Sequence, residues 1–191
     1  MNAGHSFDSN LSSFLNDLFV FSVMLVIAAI LTAAMVFQYH GGEIPCPLCL
    51  LQRAAMFGIC FGTIMHFRRG HSARNIGMSM LFAMLLLIVS ARQTLIDIYP
   101  RAGHAYIGSA VFGLHMPVWS IVIALAILLA FTLKLAVLGE KNLHNPEPSA
   151  TLSRLAGLVS LYVIALCAIN FLSVIVQCGV GACHTFGYIL L

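Results

Sequence analysis

Four of the six cysteines in this chain fall into two close pairs. Cys46 and Cys49 lie in the stretch IPCPLCLLQR, residues 44–53, and Cys178 and Cys183 lie in QCGVGACH, residues 177–184. A C-x-x-C spacing suits a disulfide closed over a short loop, or half of a metal site. Cys46, Cys49, Cys178 and Cys183 would make up the four sulfur ligands of a structural zinc, with His184 adjacent. Against zinc stands the absence of a second C-x-x-C. Pro47 fits the first turn of a helix, where its missing N–H costs nothing. Cys49 then falls in that first turn, where the helix terminus and a nearby cation stabilise a thiolate. Arg53 follows four residues later on the same helix face, close to the sulfur or to an oxyanion of a bound acceptor. The plainer alternative has Arg53 snorkelling to headgroups from about one turn inside the helix. Gln52 is read either as a polar neighbour of the site or as a helix–helix contact.

The elements that must hold these residues are apolar. The chain is 61% hydrophobic and 8% charged, with a mean hydropathy of +1.00. A soluble domain carries about 25% charged residues, so a water-facing surface cannot be covered and a polytopic membrane protein is expected. A net charge of +3 without a basic, aromatic-interleaved patch gives no reason to expect nucleic acid. Five segments reach the roughly 20 apolar residues a spanning helix needs: 18–37, 49–67, 76–99, 117–138 and 155–177. The first lacks a preceding Lys or Arg and its apolar core is too long for a signal peptide, so it is expected to remain as a span. Short connections imply one compact transmembrane domain over residues 1–191, an all-α membrane bundle with a four-helix core plus a fifth helix. Gly58 and Gly62 form a GxxxG in span two, suited to close helix packing. Cys60 and Cys167 read as buried small residues, and His66 and His71 as residues of the inner end with no special role.

Five spans put the termini on opposite sides, and positive charge chooses between them. Arg68, Arg69, Arg74, Lys134, Lys141 and Arg154 gather on one face, against Arg53, Arg92 and Arg101 near the other. The N-terminus is therefore expected in the cytoplasm and the tail, residues 178–191, outside. Both cysteine pairs then lie on the oxidising side of a bacterial inner membrane.

PCPLCLLQR at the start of a membrane helix resembles the disulfide-bond formation protein B (DsbB) family, inner-membrane thiol:quinone oxidoreductases. SARQTLIDIYP at the end of span three and GLHMPVW entering span four extend the resemblance over roughly residues 18–138. The resemblance implies that Cys49 faces a quinone, that Cys46 exchanges with a second disulfide, and that Arg53 contacts the quinone. Arg92 matches an arginine common at the end of the third span. His115, at the start of span four, is read either as a proton donor to the quinone or as an interface residue. Family members with four spans keep their second cysteine pair between spans three and four. Here residues 100–116 contain no cysteine, so Cys178 and Cys183 are expected to replace that pair.

The resulting expectation is a relay. A reduced periplasmic thioredoxin-like protein (DsbA-like) reduces a Cys178–Cys183 disulfide. The tail pair reduces Cys46–Cys49, and two electrons pass to ubiquinone or menaquinone from the membrane pool. No metal is expected at the site. The alternatives are a metal- or haem-handling protein using outer Cys, His and Met residues, a bundle with purely structural disulfides, and the reverse quinol-to-disulfide reaction.

Overall fold

The computed structural model describes residues 3–42, 44–98, 110–138 and 150–179. Five helices account for nearly all of them: α1 (Ala3–Tyr39), α2 (Pro47–Arg69), α3 (Ala73–Ile98), α4 (Met116–Leu138) and α5 (Ala150–Cys178). Each expected apolar segment lies inside one of these helices as far as it is described, Tyr99 lying outside the described residues. All five helices are long and apolar enough to cross a membrane, and the chain is a multi-pass membrane protein.

The helices are apolar on every side, as spans are, yet each has an inner face. On α1 that face is Val20, Met24, Ile27, Ala28, Leu31 and Met35, recurring at helical spacing. Leu25, Val26 and Val36 on the same helix are exposed, facing outward from the bundle. α2 is the centre. It packs against α1, α3 and α5, while α4 packs chiefly on α3. α5 also packs on α1, and its Ala156, Val163 and Leu166 belong to the same core as the first four helices. In a membrane the association of apolar helices rests on close packing and interhelical hydrogen bonds rather than on escape from water.

The α2–α3 contact shows why glycine is required. A Cβ on Gly58 would collide with the Phe82 ring. One on Gly62 would meet the Ser79 side chain and, at 2.7 and 2.8 Å, the Asn75 carbonyl and the Ser79 amide. The GxxxG pair therefore lets α3 approach to backbone contact, and Ser79 Oγ donates to the Ile59 carbonyl at 3.1 Å.

Two readings change. Cys60 is buried, but Cys167 is exposed on α5. The connection before α4 contains a minimal antiparallel hairpin, β1 (Ala110–Val111) and β2 (Leu114–His115), where no strand was expected. Its turn residues, Phe112 and Gly113, both have positive φ, 52° and 77°, the backbone a two-residue hairpin favours. Phenylalanine gives no sequence signal for such a turn.

Candidate redox site

The site is assembled at the N-terminus of α2. Cys46 is the N-cap, with extended backbone (φ −70°, ψ 160°), and its sulfur accepts from the Cys49 amide at 3.1 Å. Pro47 follows in the first turn, as the sequence suggested. The chain thus enters the helix with sulfur in the place where a serine or aspartate oxygen ordinarily caps. Cys46 and Cys49 form a disulfide. Cys46 is buried and Cys49 half-buried.

A line of polar side chains leads to the two sulfurs through an otherwise apolar interior. Ser120 Oγ on α4 lies 3.4 Å from Gln52 Oε1 and is also within reach of the Met116 carbonyl, at 3.2 Å. Gln52 Nε2 donates to Gln93 Oε1 on α3 at 2.9 Å. Gln93 Nε2 then lies 3.5 Å from both Cys46 Sγ and Cys49 Sγ. Gln52, Gln93 and Ser120 are all buried. Each link presents its donor toward the disulfide, so the line ends in N–H groups aimed at sulfur. Gln52 is therefore both a neighbour of the site and a contact between helices.

Arg53 does not snorkel. Its guanidinium turns inward among α1 and α5. Nη1 donates to Gln38 Oε1 at 2.5 Å and lies 3.4 Å from Asn170 Oδ1. Nη2 donates to the Ala34 carbonyl at 3.0 Å. Met35 Sδ is 3.8 Å from Nη1. One arginine thus ties three helices together just inside the redox motif, and Tyr39 adds a hydroxyl contact to Ser173 on α5.

The end of α5 is fixed to the same place. Gln177, fully buried, donates to the Pro45 carbonyl at 2.8 Å. This bond joins the residue before Cys46 to the residue before Cys178. Cys178 is itself buried and disulfide-bonded. Cys183 lies outside the described residues.

The two remaining site residues stand apart from this cluster. Arg92 is exposed, and the inward position beside it belongs to Gln93. His115 is half-buried at the end of β2, where α4 begins. Sequence reasoning did not single out Gln93, Gln177, Gln38 or Asn170. Their signal was present as polar residues inside apolar segments, which are costly there and so mark function or helix contacts.

The comparisons agree with the motif. Residues 16–105 match the family model described as Disulfide bond formation protein DsbB. Over these residues the chain is similar to that family. The Disulfide bond formation protein B of Nitrosomonas europaea is 33% identical over 84 residues, 42% of this chain. The aligned part is 51% of that protein, so the chain spans about half the length of the curated relative it matches. No solved structure matches the chain. The DsbB match contains Cys46, Cys49, Arg53 and Gln93, and it stops before α4, α5 and the second cysteine pair.

Proposed function

We propose that this chain is a thiol:quinone oxidoreductase supporting disulfide bond formation, with a periplasmic thioredoxin-like dithiol protein as electron donor and a membrane quinone as acceptor. The observation that carries the reading is the position of Gln93, whose amide reaches both sulfurs of a disulfide built into a helix N-terminus.

The partner's dithiolate attacks a Cys178–Cys183 disulfide and leaves oxidised. One thiolate of the reduced tail pair attacks Cys46 Sγ, a mixed disulfide forms as the Cys46–Cys49 bond breaks, and Cys49 departs as a thiolate. The second tail thiolate then displaces Cys46, re-forming Cys178–Cys183 and leaving Cys46 and Cys49 reduced. A leaving sulfur of low pKa leaves faster. The helix terminus and the Gln93 N–H both favour charge on that sulfur. The hydrogen bond from Gln177 to Pro45 supports the exchange by keeping the end of α5 against the start of the motif.

A quinone supplies a two-electron, two-proton acceptor, which balances the dithiol oxidised. The residues present fit such a molecule. Arg53, Gln38 and Asn170 offer hydrogen bonds at the level of the disulfide end. Immediately before Gln38, Val36 and Phe37 begin an almost wholly apolar groove between α1 and α5, of about 720 Å³, suited to a prenyl tail. Arg53 would orient the head group. Arg92 on α3 and His115 at the start of α4 stand apart from Arg53 and this groove, and neither is given a role at the head group. When Cys46–Cys49 re-forms, the chain is ready for the next pair of electrons.

The test is anaerobic mixing of the purified full chain with a reduced thioredoxin-like protein and ubiquinone or menaquinone. Quinone absorbance is expected to fall with the wild-type chain and to stay constant with Cys49→Ser. The double variant Cys178→Ser, Cys183→Ser is expected to block oxidation of the partner while leaving quinone reduction by dithiothreitol intact. Undiminished turnover in Cys49→Ser would overturn the reading.

A further inference from the structure

At the opposite end of α2, three side chains from separate parts of the chain converge on one point. Asp17 comes from α1, His66 from the last turn of α2, and His71 from the short link between α2 and α3. His66 Nε2 and His71 Nε2 each lie 3.1 Å from Asp17 Oδ1. The three ligand atoms all fall within 4.8 Å of one another, and the two imidazole rings meet edge to face with centroids 4.2 Å apart. All three side chains are more than nine-tenths buried.

We propose that these residues form a binding site for one divalent transition-metal ion of the zinc class. Two imidazoles and a carboxylate are a donor set such ions take. Bonds of about 2.0–2.1 Å in tetrahedral geometry place neighbouring ligand atoms about 3.3 Å apart, and the His–Asp separations already approach that value. A second observation points the same way. Asn16 is buried, its Nδ2 lies 2.9 Å from the His71 ring nitrogens, and its Oδ1 has no hydrogen-bond partner among the described residues. Amide oxygen and nitrogen are exchangeable by a flip that leaves the side chain in place. As placed, Asn16 Nδ2 also donates to Asp17 Oδ1 at 3.5 Å; an ion held by Asp17 would take the place of that N–H, and the flipped amide would then turn its oxygen to the cluster. His66 Nδ1 likewise has no hydrogen-bond partner among the described residues.

Within the cluster one carboxylate offsets half the charge of a dication. Asp17 contributes a carboxylate and the two histidines bind as neutral imidazoles. Lys134 on α4 is buried nearby with its Nζ over the Phe19 ring, 6.0 Å from the centroid. Arg68, Arg69 and Arg74 around the α2–α3 link are exposed and turned outward. The ion would tie α1 to the end of α2 and to the link that starts α3, at the end of the bundle away from the disulfide.

The test uses the full chain in detergent with its disulfides oxidised, so that the paired sulfurs do not compete. Chelator-treated protein is titrated with Zn²⁺ by calorimetry and with Co²⁺ by visible absorption. The expected results are one equivalent of Zn²⁺ bound, a Co²⁺ d–d spectrum of four-coordinate nitrogen and oxygen ligation, and a raised unfolding temperature. His71→Gln, in the link, is expected to weaken Zn²⁺ binding at least tenfold with an unchanged circular dichroism spectrum, and Asp17→Asn to do the same. His5, His40 and His104 mutated together serve as the control and are expected to leave binding unchanged. Failure of the wild-type chain to bind Zn²⁺ stoichiometrically, or equal binding by His71→Gln and Asp17→Asn, would overturn the proposal. The quinone assay has no part in either outcome.

Discussion

The first half of α2, from Cys46 to Arg53, meets its neighbours through side chains that hydrogen-bond. The second half, from Gly58 to His66, meets them mainly through missing side chains. In the first half Gln52 and Arg53 reach α3, α1 and α5 with amide and guanidinium groups. In the second, Gly58 and Gly62 bring the α3 backbone and the Phe82 ring into contact, and the helix ends with His66 on a carboxylate. One half is held at the spacing of polar side chains and the other at the spacing of backbones. A site that exchanges sulfur bonds needs polar groups able to follow a changing charge. A scaffold that positions the site needs contacts that do not yield, and packed glycine provides them.

The largest effect is expected where the packed half is forced open. Gly62→Leu would drive a side chain into the Asn75 carbonyl and the Ser79 amide, which belong to backbone and cannot rotate away. Overpacking of this kind costs about 1–3 kcal/mol and sometimes more, a large fraction of an ordinary stability margin. Little monodisperse protein is expected after detergent extraction, and what survives should unfold at lower temperature. Gly77→Leu, on α3 with open space around its Cβ position, is the control and is expected to behave like wild type. Equal behaviour of the two variants would mean that the α2–α3 contact is not held by Gly62.

The next effect tests the polar half. Gln93→Leu removes the N–H groups near both sulfurs without adding bulk. A hydrogen bond to a charged group contributes about 1.5–3 kcal/mol. The bond favours the thiolate, and therefore the reduced pair. Its loss should make the Cys46–Cys49 disulfide harder to reduce, with a potential about 30–60 mV more negative. Equilibration with glutathione in a Cys178→Ser, Cys183→Ser background reads this directly. The unfolding temperature should fall far less than in Gly62→Leu. An unchanged potential would show that Gln93 serves only to join α3 to α2.

How much of this was legible in sequence follows the same division. The spans, the cap at Cys46, the first-turn proline and the GxxxG contact are local patterns, carried by hydropathy and by residues a few positions apart. The register of Cys49 with Arg53 was legible too, since helical spacing fixes it. What Arg53 binds was not, because Gln38 and Asn170 lie 15 and 117 positions away. Gln93 sits beside the more conspicuous Arg92, and only the rotation of α3 decides which of them faces the disulfide. Asp17, His66 and His71 likewise looked like unremarkable residues at span ends, because Asp17 and His66 are separated by 49 positions. Interior polar partners in a bundle are chosen by helix rotation and tilt, which the near-uniform hydropathy of a span does not encode.

The smallest effect concerns a hydrogen bond between the end of α5 and the polar half. Gln177→Leu keeps the volume of a fully buried side chain but gives up its hydrogen bond to the Pro45 carbonyl. A net cost of about 1 kcal/mol is the ordinary worth of such a bond, so the fold should persist with a slightly lower unfolding temperature. The consequence for electron transfer is more specific. If the tail pair reduces Cys46, its reaction requires the end of α5 to stay beside residues 45 and 46, and Gln177 reduces the number of arrangements the two can sample. Oxidation of the thioredoxin-like partner should therefore slow several-fold in Gln177→Leu. Quinone reduction driven by dithiothreitol, which can attack Cys46 without the tail, should be unchanged. A variant that slowed both reactions equally would place the defect in the Cys46–Cys49 pair itself, and the docking of α5 would then be a structural contact rather than part of a relay.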